Sequence, residues 1–476
     1  MQNTLYTNDN LFILNGLNSE SVDLIYLDPP FNSKRTYSAP IGTKAAGTSF
    51  KDMWTWKDIN EAYLDKMVEK YPAMASFIQS IQEIHSKAMM AYITYMMQRI
   101  IELHRILKQT GSFYLHCDPT ASHYLKIILD EIFGRDNFRN EIIWQRNDGR
   151  GKGSQFKSKK FGANTDTILF YTKSNDFYLN TNDDVVTDSE DLKKFSKIDE
   201  NGRKYYTGIP IFRSNSMGSR PNLCYEWRGF KNPHLSGWRL SKERLEEEYK
   251  LGNIVITKDG KLERRKYLDE YQGKPIDNNW TDIPRVGAKE STGYATQKPL
   301  ALLKRIIKAS SKEGDVVLDP FCGCATTCVA AQQLGRKWIG IDIEKQAINL
   351  LMDRLSNDIG IGDNTSGLSL FKDGIHRTDI PQRTDIEIEP ITQTVKERLF
   401  KDQKGHCNAC DVSLDIWHFE VDHVIPKSKG GGDYYENYQL LCANCNRIKG
   451  DRPMEYLRIK IKVREEALRK KFTFGE

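Results

Sequence analysis

Long hydrophobic runs are missing from this chain. No stretch of its 476 residues approaches the ~18 uncharged apolar residues that a membrane-spanning helix needs. No membrane partner is expected. A leader-like start is missing too, because Met1 to Asn10 is polar and lacks a basic segment followed by an apolar one. Charge of one sign is scarce: 70 Lys and Arg against 64 Asp and Glu leave a formal +6. That balance permits a nucleic-acid partner without arguing for one, so local clusters must decide. Internal repeats are absent. A hydrophobic share of 39% suits a soluble, globular chain of about three domains with ample core.

The nine cysteines are an odd number. A disulfide framework calls for a short secreted chain and an even count. Reduced thiols in a cytoplasmic setting fit better. Four of the nine fall near the C-terminus as two pairs, Cys407-x-x-Cys410 and Cys442-x-x-Cys445, separated by 31 residues. Two such knuckles supply four thiolates to one tetrahedral zinc. With every position taken by sulfur, that zinc is structural rather than catalytic.

The rest of the chain changes texture several times. Residues 21–27 are mostly apolar and β-prone, then Asp28-Pro29-Pro30 ends the run. A helical pattern over 75–108 follows, then a strand at 112–116 and a helix at 121–133. This alternation predicts an α/β fold with a parallel sheet. From Arg146 the chain turns basic: Arg146, Arg150, Lys152, Lys157, Lys159 and Lys160 stand against Asp148. Strand character returns at 161–172. Residues 175–290 are polar, rich in aromatics and without a long helical period. The α/β pattern resumes with a helix at 299–312, strands at 315–319 and 337–342, and a helix at 344–355. Residues 357–392 read as linker. The expected divisions are 1–145 and 293–356 as two parts of one α/β domain, with 146–292 inserted between them. A linker (357–395) and a cysteine-bearing unit (396–476) follow.

In open α/β sheets, ligands bind beyond the carboxyl ends of the strands. Asp28-Pro29-Pro30-Phe31 sits at such an end. Asp28 and the Pro29 carbonyl can accept hydrogen bonds from an amino group, and Phe31 offers a face for stacking. The same residues also suit a plain strand-ending turn with a core Phe.

VDLIYLDPPF resembles the catalytic motif of the amino-group DNA methyltransferases, which use S-adenosylmethionine. Members whose motif begins with Asp are mostly adenine-N6 enzymes, and Ser is the common cytosine-N4 form. DVVLDPFCGCATT (315–327) resembles that family's cofactor loop. Asp319, Phe321 and Gly323 match it, whereas Cys324 and Ala325 stand where the family has Ser and Gly. The loop needs a tight strand-to-helix turn that lets backbone approach the cofactor. Asp342, 23 residues after Asp319, ends the next strand, where an acid can bind ribose hydroxyls. A solvated strand-end acid is the plainer alternative. Gln297 and Lys298 resemble the pair beside the cofactor; a plain helix N-terminus with Pro299 early in the helix is the alternative. Catalytic motif first and cofactor motif last is the order of the β class. The resemblance implies a Rossmann-like methyltransferase sheet acting on double-stranded DNA, with 146–292 as a target-recognition module.

The flipped base of such an enzyme would stack on Phe31, with its amine held by Asp28 and Pro29. Catalysis is then positioning and charge stabilisation. No covalent nucleophile is needed, so Cys322, Cys324 and Cys328 are expected to be structural. His116-Cys117-Asp118 is expected to be neither a metal site nor a catalytic relay.

FEVDHVIPKSKGGGDYYENYQLLCANCNRIKGDRP (419–453) resembles the HNH nucleases, a ββα-metal fold. The resemblance implies His423 as general base. Asp422 and Asn446 would be ligands of Mg2+ or another divalent ion, and Asn437 the brace of the His423 loop. A zinc unit that only grips DNA is the alternative. A basic stretch over 458–471 suits phosphate contact. Together these readings imply a restriction–modification role in a prokaryotic or phage-infected cell. One HNH site cuts one strand, so a double-strand break needs a homodimer or two events.

Overall fold

A computed structural model describes residues 3–461, except 32–34, 39–42, 46–48, 53–54, 56–58, 60–66, 68–69, 147–158, 160, 182–191, 272–275, 345–348, 352–353, 355–373, 453, 455 and 459. Most of the basic run after Arg146, much of the 344–355 helix and the tail beyond 461 lie outside the described residues.

Nine strands form the main sheet. In chain order they are β1 (Asn3–Thr7), β2 (Val22–Leu27), β3 (Leu107–Cys117), β4 (Phe138–Gln145), β5 (Thr165–Thr172), β6 (Asn279–Trp280), β7 (Val316–Asp319), β8 (Lys337–Asp342) and β9 (Gly374–Arg377). Their spatial order is β6-β4-β5-β3-β2-β7-β8-β1-β9. Neighbours from β3 to β9 pair in parallel, while β5 runs antiparallel to both β3 and β4. Strand β2 is apolar along most of its length because helices must cover both faces of a parallel sheet. Four of its last five residues, Leu24, Ile25, Tyr26 and Leu27, are buried with Val22. The α/β expectation therefore holds.

The helical pattern expected over 75–108 is two helices, Pro72–Ile84 and Lys87–Ile106. The break is local chemistry. The Ser86 hydroxyl accepts the Met89 backbone N–H and starts a new helix, which an unbroken apolar period does not reveal. The segment read as linker contributes β9, which pairs with β1 at the sheet edge.

Residues 181–276 form a separate compact unit, and residues 1–180 and 277–476 form the other. The smaller unit has short two- and three-stranded sheets and one described helix, Lys242–Lys250. Trp227 and Trp238 centre its core, with Ile211, Leu245 and Ile254. Short polar strands around a few aromatics explain why no helical period is visible there.

The C-terminal part pairs β10 (Phe419–His423) with β11 (Tyr438–Cys442), antiparallel, followed by a helix at Ala443–Lys449. Its core joins Phe419, Tyr438, Leu440 and Leu441 to Val395, Leu399 and Leu457. No helix among the described residues is long and apolar enough to cross a membrane.

Candidate functional site

Strands β2, β7 and β8 are parallel neighbours, with Leu318 beside both Ile25 and Ile339. Their carboxyl ends therefore bring Asp28, Asp319 and Asp342 to one edge of the sheet. Pro29 is buried behind Asp28, and Pro30 and Phe31 are half-buried. Asp28 Oδ2 lies 2.5 Å from Lys298 Nζ. Its Oδ1 is buried without a hydrogen-bond partner among the described residues. Leaving such an acceptor unmade is expensive. The Phe31 ring stacks on His116 at 6.0 Å and 27°. Lys298 Nζ stands 5.4 Å from the same ring.

The loop after β7 is held by its own acids. Asp319 accepts the Phe321 N–H at 3.0 Å and the Thr327 hydroxyl at 2.5 Å. Burial pushes its carboxyl up to about 7, against those two hydrogen bonds. Asp342 accepts the Gly323 N–H at 2.7 Å and the Glu344 N–H at 2.9 Å. Burial raises it as well. Gly323 has φ +50°, and a Cβ there would lie 3.0 Å from the Tyr294 ring. Ala325 has φ +58° and ψ +32°, the left-handed region. Ala325 thus occupies the conformation that favours the glycine of the resembling motif.

Gln297 and Lys298 are adjacent but part ways. Gln297 Oε1 accepts the Thr292 N–H and hydroxyl, both at 2.8 Å, and its Nε2 donates to Glu290 O. It braces its own loop. Lys298 serves Asp28 instead.

At the other end of the chain, the sulfurs of Cys407, Cys410, Cys442 and Cys445 lie within 4.8 Å of one another. Tetrahedral zinc with bonds of ~2.3 Å separates its sulfurs by about 3.8 Å, and Cys410 and Cys442 stand 3.9 Å apart. The donor set fits zinc. Beside it, His423 Nε2 is 2.9 Å from Asp433 Oδ1, and Asp433 Oδ2 is 2.7 Å from Lys427 Nζ. Asn437 is fully buried, and its amide bonds both N–H and C=O of Ile425 and also Gly432 O. It closes the loop between β10 and β11. Asp422 Oδ2 meets Gln439 Nε2 at 2.8 Å and the buried Lys449 Nζ at 2.9 Å. Asn446 Nδ2 donates to Glu420 at 2.5 Å.

Sequence reasoning missed Asp433, Lys449, Glu420, Tyr26 and Asp166. Asp433 follows a glycine run that turns the chain back to His423. The others gave no local signal, because their partners lie 26 to 90 residues away.

Residues 22–353 match the DNA methylase family of N6- and N4-type enzymes, and the chain belongs to that family. Residues 407–452 match the HNH endonuclease family. The protein is therefore a DNA methylase of that family that carries an HNH domain. The type II methyltransferase M.EcaI of Enterobacter cloacae is 31% identical over 366 residues, 75% of this chain and 70% of that protein. The Mod subunit of the type III restriction-modification enzyme StyLTI, from Salmonella typhimurium, is 26% identical over 70% of this chain and 50% of its own length. The chain thus spans only half of that relative. The DNA adenine methyltransferase YhdJ of Escherichia coli is 26% identical over 74% of this chain and 82% of its own.

Proposed function

We propose that this chain methylates adenine at N6 within a specific sequence of double-stranded DNA, using S-adenosylmethionine. The observation that carries the reading is the buried, unpartnered Oδ1 of Asp28 beside Phe31. An exocyclic amine has hydrogens to donate, and Asp28 with the Pro29 carbonyl offers two acceptors. Holding both N–H groups turns the nitrogen lone pair toward the methyl donor. A carboxylate also stabilises the positive charge that develops on nitrogen. The target must leave the duplex to reach this edge, and Phe31 offers the stacking face that a flipped base needs. S-adenosylmethionine supplies the electrophilic methyl. Phe321, Gly323 and Asp342 would hold it, with Asp319 fixing the turn. Of the expected module at 146–292, the separate unit at residues 181–276 supplies target recognition in this reading, because Thr165–Thr172 and Asn279–Trp280 are strands of the main sheet.

The C-terminal unit in this reading is a zinc-stapled nuclease. His423, oriented by Asp433, takes the proton from water. Asp422 and Asn446 would hold a divalent ion such as Mg2+, which would stabilise the charge on the leaving oxygen. YhdJ, an adenine enzyme by its own description, favours adenine over cytosine.

Digesting DNA from cells that express the protein, and identifying the modified nucleoside, tests the first part. N4-methylcytosine instead of N6-methyladenine overturns it. Incubating purified protein with DNA and Mg2+ tests the second part. If no strand is nicked with or without S-adenosylmethionine, the nuclease reading is overturned.

A further inference from the structure

His116 lies near the end of β3 with no exposed surface. Its Nδ1 is 3.0 Å from the Tyr26 hydroxyl on β2, and its Nε2 is 3.1 Å from Asp166 Oδ2 on β5. Both polar atoms of the ring are therefore used, on opposite edges. Burial keeps the imidazole below its ordinary pKa, helped by the nearby Lys298 charge and opposed by Asp166. A neutral ring with Nε2–H donating to Asp166 leaves Nδ1 to accept from Tyr26. A ring pinned at two edges cannot turn.

That fixed ring faces Phe31 at 27°. Trp144 closes another side edge-on, at 5.8 Å and 86°, and its indole N–H is anchored on Ile283 O. Asp166 also meets Arg146 at 3.4 Å, where the basic run begins. Three strands thus converge on a single imidazole, whose only stacked neighbour among the described residues is the aromatic ring of the catalytic tetrapeptide.

We propose that His116 is a positioning residue for methyl transfer: held by Tyr26 and Asp166, it sets the plane of Phe31 and through it the tilt of a stacked target base. The proposal rests on the reading of Phe31 as the stacking face. Reaction geometry is sensitive to such support, since a displacement of ~1 Å costs roughly a hundredfold in rate.

The test measures transfer of labelled methyl from S-adenosylmethionine to DNA by four variants: His116→Ala, Tyr26→Phe, Asp166→Asn and Phe31→Ala. In addition, 2-aminopurine replaces the base that methylation mapping identifies, so that its fluorescence reports flipping and restacking. His116→Ala should lower kcat on the order of 10- to 100-fold, with the dissociation constant for S-adenosylmethionine changed by less than about threefold. Its 2-aminopurine signal should rise above that of the parent, because the flipped base is less well stacked. Tyr26→Phe and Asp166→Asn each keep the imidazole but free one edge, and should give smaller kcat losses of the same kind. If His116→Ala does not fold, these two variants carry the test. Unchanged kcat and fluorescence in the folded variants overturn the proposal, as does a loss confined to thermal stability. A defective Phe31→Ala beside a normal His116→Ala sinks only the role of His116. A normal Phe31→Ala sinks the stacking reading beneath it.

Discussion

Lys298 holds Asp28 through a 2.5 Å ion pair that bridges 270 residues of chain. The two side chains are only 11% and 15% exposed, so the pair is poorly screened. It joins the segment before β7 to the tetrapeptide Asp28-Pro29-Pro30-Phe31. Replacing Lys298 with Met leaves Asp28 partly buried without a counter-charge. Breaking such a pair is expected to cost about 3 kcal/mol or more. Methylation by Lys298→Met should fall at least tenfold, whereas Gln297→Ala should act through loop stability alone. Steady-state methyl transfer and thermal unfolding of both variants separate the two effects.

Asp28→Ala should abolish methylation, because no other side chain supplies the acceptor at this edge in the proposed mechanism. Nicking of DNA by the same preparation should persist. Loss of both activities would show that the sites are not independent.

Ala325 carries the left-handed backbone without being glycine. Such a conformation costs an L-residue roughly 1 kcal/mol or more. Ala325→Gly relieves it, at the expense of some added freedom in the unfolded chain. The net gain should be about 0.5 kcal/mol, read as a higher thermal midpoint. A lower midpoint would mean the alanine methyl contributes packing that outweighs the strain.

Asp319 gives a pH signature. A carboxyl whose folded pKa lies above its unfolded value binds its proton more tightly when folded. Its contribution to stability is full below about 4 and fades as pH rises toward about 7. Asp319→Asn removes that dependence. The difference in thermal midpoint between Asp319→Asn and the parent should therefore grow in favour of the variant from pH 4 to 7. A constant difference would place the carboxyl at an ordinary pKa.

The four thiols should hold one zinc per chain, measurable by elemental analysis. Cys445→Ser should lose it and open the C-terminal unit to protease, because a small core depends on its metal. Asp433→Asn should keep the zinc yet slow any nicking, since it alters the partner of His423, Lys427 and Tyr438 and touches no zinc thiol.

Much of this site was legible in the sequence. Strand β2 was readable because a mostly apolar run stops at Asp28 and two prolines. The cysteine knuckles were readable because tetrahedral coordination demands short pairs. Asn437 was singled out by resemblance to the HNH pattern, and its amide bonds Ile425 and Gly432. The Lys298–Asp28 and His116–Asp166 pairs were not legible, because sheet order, not sequence distance, brings them together. The helix break at Ser86 hid inside a continuous apolar period. The strand at Gly374–Arg377 hid because an edge strand with mostly polar, part-exposed residues shows neither alternation nor an apolar run.

That edge strand has a mechanical meaning. After β9 the chain does not swing free. Asn18 bonds Thr384, the Ser19 N–H reaches Asp385, and Asn15 donates to Gly430 in the HNH loop. Leu11 and Ile425 bury each other across the same seam, with Phe12 packed against them. Methyl-transfer edge and His423 are thus joined by a bracket rather than a tether. A bracket works as a ruler: nicks mapped against methylated bases should fall at one fixed offset instead of a spread of distances.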